Sequence, residues 1–237
     1  MVKAALTPRT KMIILNSPSN PSGAVFPAET FRGVLEICRE RGIWLLSDEC
    51  YSKFVYEGAP YSVASEPDSK DWLIIAGSLS KTYAMTGWRL GYALAPKEVT
   101  KKMLNLQSHS TSNPVSFVQK AAIAALTGPQ EPVQQMLAEY RKRREVIVNG
   151  LRAIPGITCN APAGAFYAYP NVSGLFGKGG IQSTLDLSNR LLKEAGVVTV
   201  PGEAFGTSEQ IRFSYATSIE QIEAGLKRVA DFVAKLG

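Results

Sequence analysis

Three short apolar runs, each followed at once by a polar cluster, constrain the fold of this chain more than any other feature of its sequence. The runs are Met12–Leu15, Ile43–Leu46 and Trp72–Gly77, and a stretch with helical character, Ala28–Arg41, separates the first two. Apolar runs of this length that end at turn residues predict buried strands. Because such strands alternate with helical segments, the pattern predicts an α/β fold with a mostly parallel sheet.

Polar side chains that follow these strands are candidates for one binding site. In an open α/β sheet the carboxyl ends of parallel strands meet at one crevice, where ligands bind. We therefore expect five side chains to converge on a small molecule: Asn20, Asp48, Tyr51, Ser78 and Lys81. Taken singly, Asp48 is equally compatible with a helix N-cap, and an asparagine before a proline is ordinary turn chemistry.

Lys81 has the most distinctive chemistry of these residues. It follows a buried strand at a turn rich in serine. Poor hydration favours the neutral amine of a lysine over its ammonium form, and a neutral amine reacts with aldehydes. A single lysine after a strand is more often a solvated strand end, so the neighbouring segments decide between the two interpretations.

Those segments resemble a known family. Four of them carry the match, in the family's order: Asn20–Gly23, Ser47–Tyr51, Ser78–Tyr92 and Ile211–Tyr215. Two more, Ala163–Tyr167 and Pro201–Gly206, extend it to nearly the whole chain. Together they resemble the C-terminal part of a class I aminotransferase, the fold-type I family that uses pyridoxal 5'-phosphate, in its branch similar to bacterial aspartate aminotransferases.

The resemblance implies a fold and a domain organisation. We expect a truncated fold-type I large domain, with a mostly parallel sheet and helices, over residues 1–144, and a C-terminal α+β small domain over residues 145–237. The resemblance also implies that the chain lacks the N-terminal arm, the first strands, the glycine-rich phosphate loop and the aromatic residue that stacks on the cofactor. We therefore expect weakened cofactor binding, reduced activity, and association into a homodimer or larger species.

Roles for individual residues follow from the same resemblance. Lys81 would bond the cofactor covalently and move the proton at the substrate's α-carbon, and Asp48 would keep the cofactor's ring nitrogen protonated. Asn20 and Tyr51 would donate hydrogen bonds to the ring's phenolic oxygen, and Asn20 would also touch the substrate.

Three further residues would hold charged groups. Ser78 and Arg89 would bind the cofactor phosphate, and Arg212 would bind the substrate's α-carboxylate with its planar fork of donors. The implied reaction is transamination between an amino acid, with aspartate as the candidate, and a 2-oxo acid. Two alternatives stay open: a carbon–sulfur lyase of the same fold, and a non-catalytic remnant that binds the cofactor.

Charge and composition disfavour other classes of protein. The net charge is +6, but the basic residues are scattered except for Arg141–Arg144, which has Glu139 and Glu145 beside it on a helical stretch. This pattern is typical of a solvated helix face rather than a nucleic-acid surface. No apolar run approaches the roughly 18 residues of a membrane-spanning helix. We expect no nucleic-acid or membrane partner.

The cysteines and the histidine argue against a metal centre. Cys38, Cys50 and Cys159 are odd in number and lack metal-ligand spacing, and His109 is the only histidine. Free thiols of this kind are typical of the cytoplasm.

Periodicity predicts the remaining elements. We expect helices at Lys97–Gln107, Pro114–Leu126, Glu131–Ala153, Ser183–Ala195 and Ser218–Leu236. We expect further strands at Gly91–Ala95, Ile157–Asn160, Ala165–Tyr169, Val197–Val200 and Ile211–Ser214.

Overall fold

The computed structural model describes residues 2–67 and 69–237, and the chain divides into two compact units. The first consists of the residues up to Pro18 together with Val25–Gln134, and the second of Ser19–Ala24 together with Gln135–Gly237. The short segment around Asn20 therefore belongs with the C-terminal part of the chain. The predicted domain boundary at residue 144 stays a prediction.

A four-stranded sheet organises the first unit. Its strands, in chain order and in spatial order, are β1 (Met12–Asn16), β2 (Trp44–Asp48), β3 (Leu73–Ser78) and β4 (Gly91–Leu94). The first three are parallel, and β4 is antiparallel to β3. The predicted α/β fold and its apolar strands are confirmed.

A short helix, α1 (Val2–Ala5), precedes the sheet, and the longer helix α2 (Ala28–Arg41) packs on the sheet through one face. Phe31, Val34, Leu35 and Cys38 are buried at the spacing of an amphipathic helix and form a core cluster with Leu45 of β2. Full burial of such side chains contributes about 1.5–3 kcal/mol each. The helix ends at a glycine in the left-handed conformation.

The last strand and the next two helices of the first unit leave much apolar surface uncovered. All four residues of β4 are exposed, and α4 (Lys97–Ser110) has no buried residue. Leu106 of α4 and Phe117 of α5 (Ser116–Thr127) are 75% and 66% exposed. Among residues of the described sheet, β1 and β4 each have a single neighbouring strand.

The second unit is a small α+β assembly. Its elements are α6 (Glu131–Arg152), most of which lies in this unit, β5 (Tyr167–Ala168), α7 (Thr184–Arg190), β6 (Val200–Pro201), β7 (Ile211–Ser214) and α8 (Ile219–Ala234). The helix α7 continues into a π-helical turn at Leu191–Ala195. The sheet is antiparallel with the order β5-β7-β6.

Two of the strand predictions for this unit are wrong. In place of Ile157–Asn160 there is only an isolated bridge between Thr158 and Asn171, because the Cys159 carbonyl accepts a hydrogen bond from the Arg152 Nε at 2.7 Å. In place of Val197–Val200 there is the two-residue β6, because the Val197 N–H closes the preceding helix by donating to the carbonyl of Leu191.

The predicted strand at Ala165–Tyr169 is shortened to β5. Ala165 has a φ of 55°, a left-handed conformation that a strand does not tolerate.

Among the described helices, none combines the length and the apolar character that crossing a membrane requires.

Candidate active site

The sheet of the first unit places Asp48, Ser78 and Lys81 at one edge. Asp48 is the last residue of β2 and pairs in register with Ala76 of the parallel strand β3. Ser78 is the last residue of β3, two positions further along. Because both strands run in the same direction, their carboxyl ends lie side by side.

Lys81 follows within one turn of helix. The short helix α3 (Leu79–Thr82) starts directly after β3, and Ser78 caps it: the Ser80 N–H donates to the Ser78 Oγ at 3.1 Å. The abrupt change from strand to helix leaves Lys81, which is half-buried, next to the strand ends.

The pKa of the Cys50 thiol depends on all three of these side chains. Burial raises its pKa, the Asp48 carboxylate raises it further, and a hydrogen bond with Ser78 and the charge of Lys81 lower it. Such effects act over short distances. Together with the strand register, these effects place Asp48, Ser78 and Lys81 near the Cys50 thiol.

The turn after β2 fixes the orientation of Asp48. Its Oδ1 accepts a hydrogen bond from the Cys50 N–H at 3.1 Å, and Tyr51, the next residue, is buried. Glu49 points to a different set of partners, since the hydroxyls of Ser47 and Ser62 donate to its Oε1 at 3.1 and 2.9 Å.

Burial raises the pKa of the Glu49 carboxyl, although both serine hydrogen bonds oppose that shift. Its two hydroxyl partners lie within the first unit, before and after the turn that carries Asp48. Glu49 thus anchors the turn.

Arg89 lies in a strained part of the chain. Both Ala84 and Arg89 have positive φ values, 53° and 55°, which non-glycine residues rarely adopt. The exposed guanidinium of Arg89 donates from Nη1 to the carbonyl of Thr86 at 2.9 Å, within its own turn. This bond uses one of the five N–H donors of the guanidinium.

The second unit brings together the other two predicted residues, Asn20 and Arg212. The Arg212 Nη1 donates to the Asn20 Oδ1 at 2.8 Å, although 192 positions separate them in the sequence. Arg212 lies on β7 and is half-buried. Among the residues that the structure describes, no carboxylate forms a salt bridge with it.

A tight turn holds Asn20 in place. The Gly23 N–H donates to the Ser19 carbonyl, and the Gly164 N–H donates to the Gly23 carbonyl, both at 2.8 Å. Gly23 has a φ of 67°, and a Cβ added there would lie 2.3 Å from the Cβ of Pro162. Only glycine fits this turn without strain.

Two aromatic residues at Arg212 were missed in the sequence. The guanidinium carbon of Arg212 lies 4.6 Å from the centroid of the Tyr167 ring and 5.2 Å from that of Phe205. Both residues belong to matched segments, but aromatic residues in apolar segments are usually core residues, so no sequence signal pointed to a role for them. No group of three or more potential metal ligands occurs within the described chain.

Comparisons with known proteins identify the matching family. The model of the family "Aminotransferase class I and II" matches residues 1–229. Two similar curated proteins are the aspartate aminotransferases of Geobacillus stearothermophilus, 44% identical over 98% of this chain, and of Rhizobium meliloti strain 1021, 43% identical over 97%. The chain spans about 60% of the length of these relatives, 60% and 58% respectively.

Solved structures show the same similarity. The aspartate aminotransferase of Rhizobium meliloti superposes with a TM-score of 0.94 at 42% identity, covering all of this chain and 61% of the other. The aromatic aminotransferase of Pyrococcus horikoshii superposes with a TM-score of 0.91 at 34% identity, covering 99% of this chain and 62% of the other.

Proposed function

Because the chain belongs to the family of class I and II aminotransferases, we propose that it binds pyridoxal 5'-phosphate and takes part in transamination between an amino acid and a 2-oxo acid. Aspartate is the first substrate to test, since the two curated relatives described above are named aspartate aminotransferases. The chain spans about 60% of the length of these relatives, so the activity of the whole enzyme is part of the proposal.

One observation carries the proposal: the parallel strands β2 and β3 end side by side, at Asp48 and Ser78, and Lys81 follows within one turn of helix. A primary amine, a carboxylate and a hydroxyl around one point fit the chemistry of this cofactor, which offers an aldehyde, a ring nitrogen and a phosphate. When bound, the cofactor supplies an electron sink for the substrate's α-carbon.

Each of the site residues in the first unit would contact a different group of the cofactor, according to its chemistry. Lys81 would condense with the aldehyde, with release of water. Once the substrate's amine has displaced it, Lys81 would act as a free amine that removes and returns the proton at the substrate's α-carbon. Asp48, oriented by the Cys50 N–H, would hold a proton on the ring nitrogen by charge attraction. Tyr51 would donate to the phenolic oxygen.

The remaining roles concern anions. Ser78 would donate to the phosphate with its hydroxyl, and Arg89 would join it by releasing its bond to the Thr86 carbonyl. Arg212 would bind the substrate's α-carboxylate. Asn20, whose Oδ1 accepts one Arg212 N–H, would donate with its amide group to the phenolic oxygen and would also contact the substrate.

A second candidate function is cofactor binding without turnover. The observation that favours it is Arg89, which is exposed and whose guanidinium donates to the Thr86 carbonyl within its own turn. A phosphate site without Arg89 would bind the cofactor more weakly, because it lacks a bidentate donor.

We also propose a homodimer and a cytoplasmic location, the latter supported by three free cysteines in the described chain.

A single-turnover assay tests the function. The chain is loaded with pyridoxal 5'-phosphate and mixed with L-aspartate in the absence of an acceptor, and the released 2-oxo acid is measured. We expect up to one equivalent per bound cofactor, no release from Lys81→Ala, and normal release from the control Lys70→Ala. Cofactor binding without any 2-oxo acid from the unaltered chain would favour the second candidate and contradict transamination.

A further inference from the structure

The sheet of the second unit places an aromatic ring beside Arg212. Arg212 and Ser214 lie on the same face of β7, because side chains alternate along a strand, and Ile211 and Phe213 are buried on the other. Tyr167 of β5 pairs in register with Ser214. The Tyr167 ring is therefore a diagonal cross-strand neighbour of Arg212, within reach of its long side chain.

A second ring reaches Arg212 from a rigid turn. Phe205 is the last residue of the 3₁₀ turn Gly202–Phe205, which ends at Gly206 with a φ of 76°. The Gly202 N–H donates to the Thr184 Oγ1 at 2.9 Å, which anchors the start of the turn.

A further ring holds Phe205. Tyr169 packs against the Phe205 ring in a T-shaped arrangement, with centroids 5.9 Å apart, and its hydroxyl lies 2.6 Å from the Thr207 Oγ1. A ring held by such contacts loses little freedom when a ligand binds, so its position is set before binding.

These contacts restrict the guanidinium of Arg212 in three ways. Tyr167 and Phe205 each present a ring to it, and Asn20 accepts one of its five N–H donors. A guanidinium placed against rings keeps its plane fixed, whereas a free arginine samples many rotamers. The donors therefore point in a fixed direction before any ligand arrives.

We propose that Tyr167 and Phe205 are positioning residues, whose rings hold the Arg212 guanidinium ready to bind a carboxylate with two parallel hydrogen bonds. This inference rests on the proposed function, in which Arg212 receives the substrate's α-carboxylate. The rings act through Arg212 and do not themselves touch the carboxylate. Their aromatic faces matter, and the Tyr167 hydroxyl does not.

The structure offers a matched control in the same unit. Arg190 lies over the ring of Phe232, 5.2 Å from its centroid, and its guanidinium is paired with Glu194. Replacing Phe232, which is buried, by leucine removes an arginine–ring contact and core volume without changing the surroundings of Arg212.

The test uses the cofactor-loaded chain, with arginine side chains labelled for NMR and succinate as the carboxylate probe. Ring currents shift the Arg212 Nε–H signal, and we expect Tyr167→Leu and Phe205→Leu each to remove part of that shift. Each should also weaken succinate binding about tenfold, the equivalent of one desolvated cation–π contact. Tyr167→Phe and Phe205→Tyr, which keep the rings, should bind within about twofold of the unaltered chain, well inside one tenfold step. Phe232→Leu should move the Arg190 signal alone.

The outcomes separate this inference from the proposed function. If Arg212→Gln binds succinate as well as the unaltered chain does, the carboxylate role of Arg212 fails, and the inference fails with it. If Arg212→Gln loses binding but both leucine variants keep it, only the positioning role is overturned. An equal loss in Phe232→Leu would likewise overturn it, by showing that reduced stability explains the effect. Phe205→Leu alters a half-buried turn residue, so it keeps the test decisive even if Tyr167→Leu does not fold.

Discussion

Asp48 and Lys81 act on the same neighbour with opposite signs. The carboxylate raises the pKa of the Cys50 thiol and the lysine charge lowers it. This opposition makes Cys50 a natural probe of the site, because a thiol reacts as its thiolate.

We predict that Asp48→Asn lowers the pKa of Cys50, since it removes a negative charge beside the thiol. Lys81→Met should raise that pKa, since it removes a positive charge. The rate of thiol alkylation as a function of pH measures both shifts. Cys38 and Cys159 give little background, because burial raises the pKa of each to about 11.

The control for these variants is Lys70→Ala, which changes an exposed lysine of the same unit and should leave the alkylation profile unaltered. A Cys50 titration that stays constant in both Asp48→Asn and Lys81→Met would mean that the three groups are not neighbours.

At this scale the sequence predicted that residues at the ends of parallel strands lie together, but it did not connect Arg212 with the two rings beside it. Asp48, Ser78 and Lys81 could be grouped because the ends of parallel strands meet at one edge. Tyr167 and Phe205 could not be connected to Arg212, since that requires the register of an antiparallel sheet whose strands have two and four residues. The hydrogen bond of Arg89 to its own turn was equally hidden, because it depends on two left-handed residues.

At the scale of elements, the strands with one continuous apolar run formed as predicted. Two other predicted strands did not form, because their backbone groups bond to an arginine side chain or to the end of a helix. β2 and β3 bury side chains in a cluster with α2, and Ile13 and Leu15 of β1 pack against that cluster partly buried, so local pattern and packing agree. In the Ile157–Asn160 segment a backbone carbonyl accepts a hydrogen bond from the Arg152 side chain. Periodicity does not reveal such a contact.

We predict that Gly23→Ala destabilises the chain by about 1–3 kcal/mol, through the left-handed backbone and the overlap with Pro162. The matched control is Gly33→Ala on α2, where an added Cβ meets nothing within 4 Å. That variant should be stabilising by up to about 1 kcal/mol, the helix propensity difference. Denaturant unfolding measures both, and equal effects of the two substitutions would contradict the described turn.

At the scale of the whole molecule, we expect the exposed apolar surface of the first unit to determine whether the chain associates in solution. A helix such as α4 gains most of its stability from packing one face, yet no residue of α4 is buried. The edge strand β4 has backbone groups available for pairing, and exposed apolar patches above a few hundred Å² are rare on monomers.

We therefore predict that the purified chain forms a dimer or larger species, as light scattering coupled to size exclusion would show. Leu106→Glu on α4 should shift the population towards the monomer by placing a charge in the contact. Leu192→Glu, which alters an exposed leucine of the second unit, should leave the association unchanged. A monodisperse monomer for the unaltered chain would contradict this prediction.

The central claim is that Lys81 bonds pyridoxal 5'-phosphate, and borohydride trapping followed by peptide mass mapping tests it most directly. The chain is incubated with the cofactor, reduced, digested and mapped, with Lys81→Ala treated in parallel. We predict a pyridoxyl group on the peptide that contains Lys81 and none at that position in the variant. Stoichiometric label on Lys53 or Lys70, with Lys81 unmodified, would contradict the account.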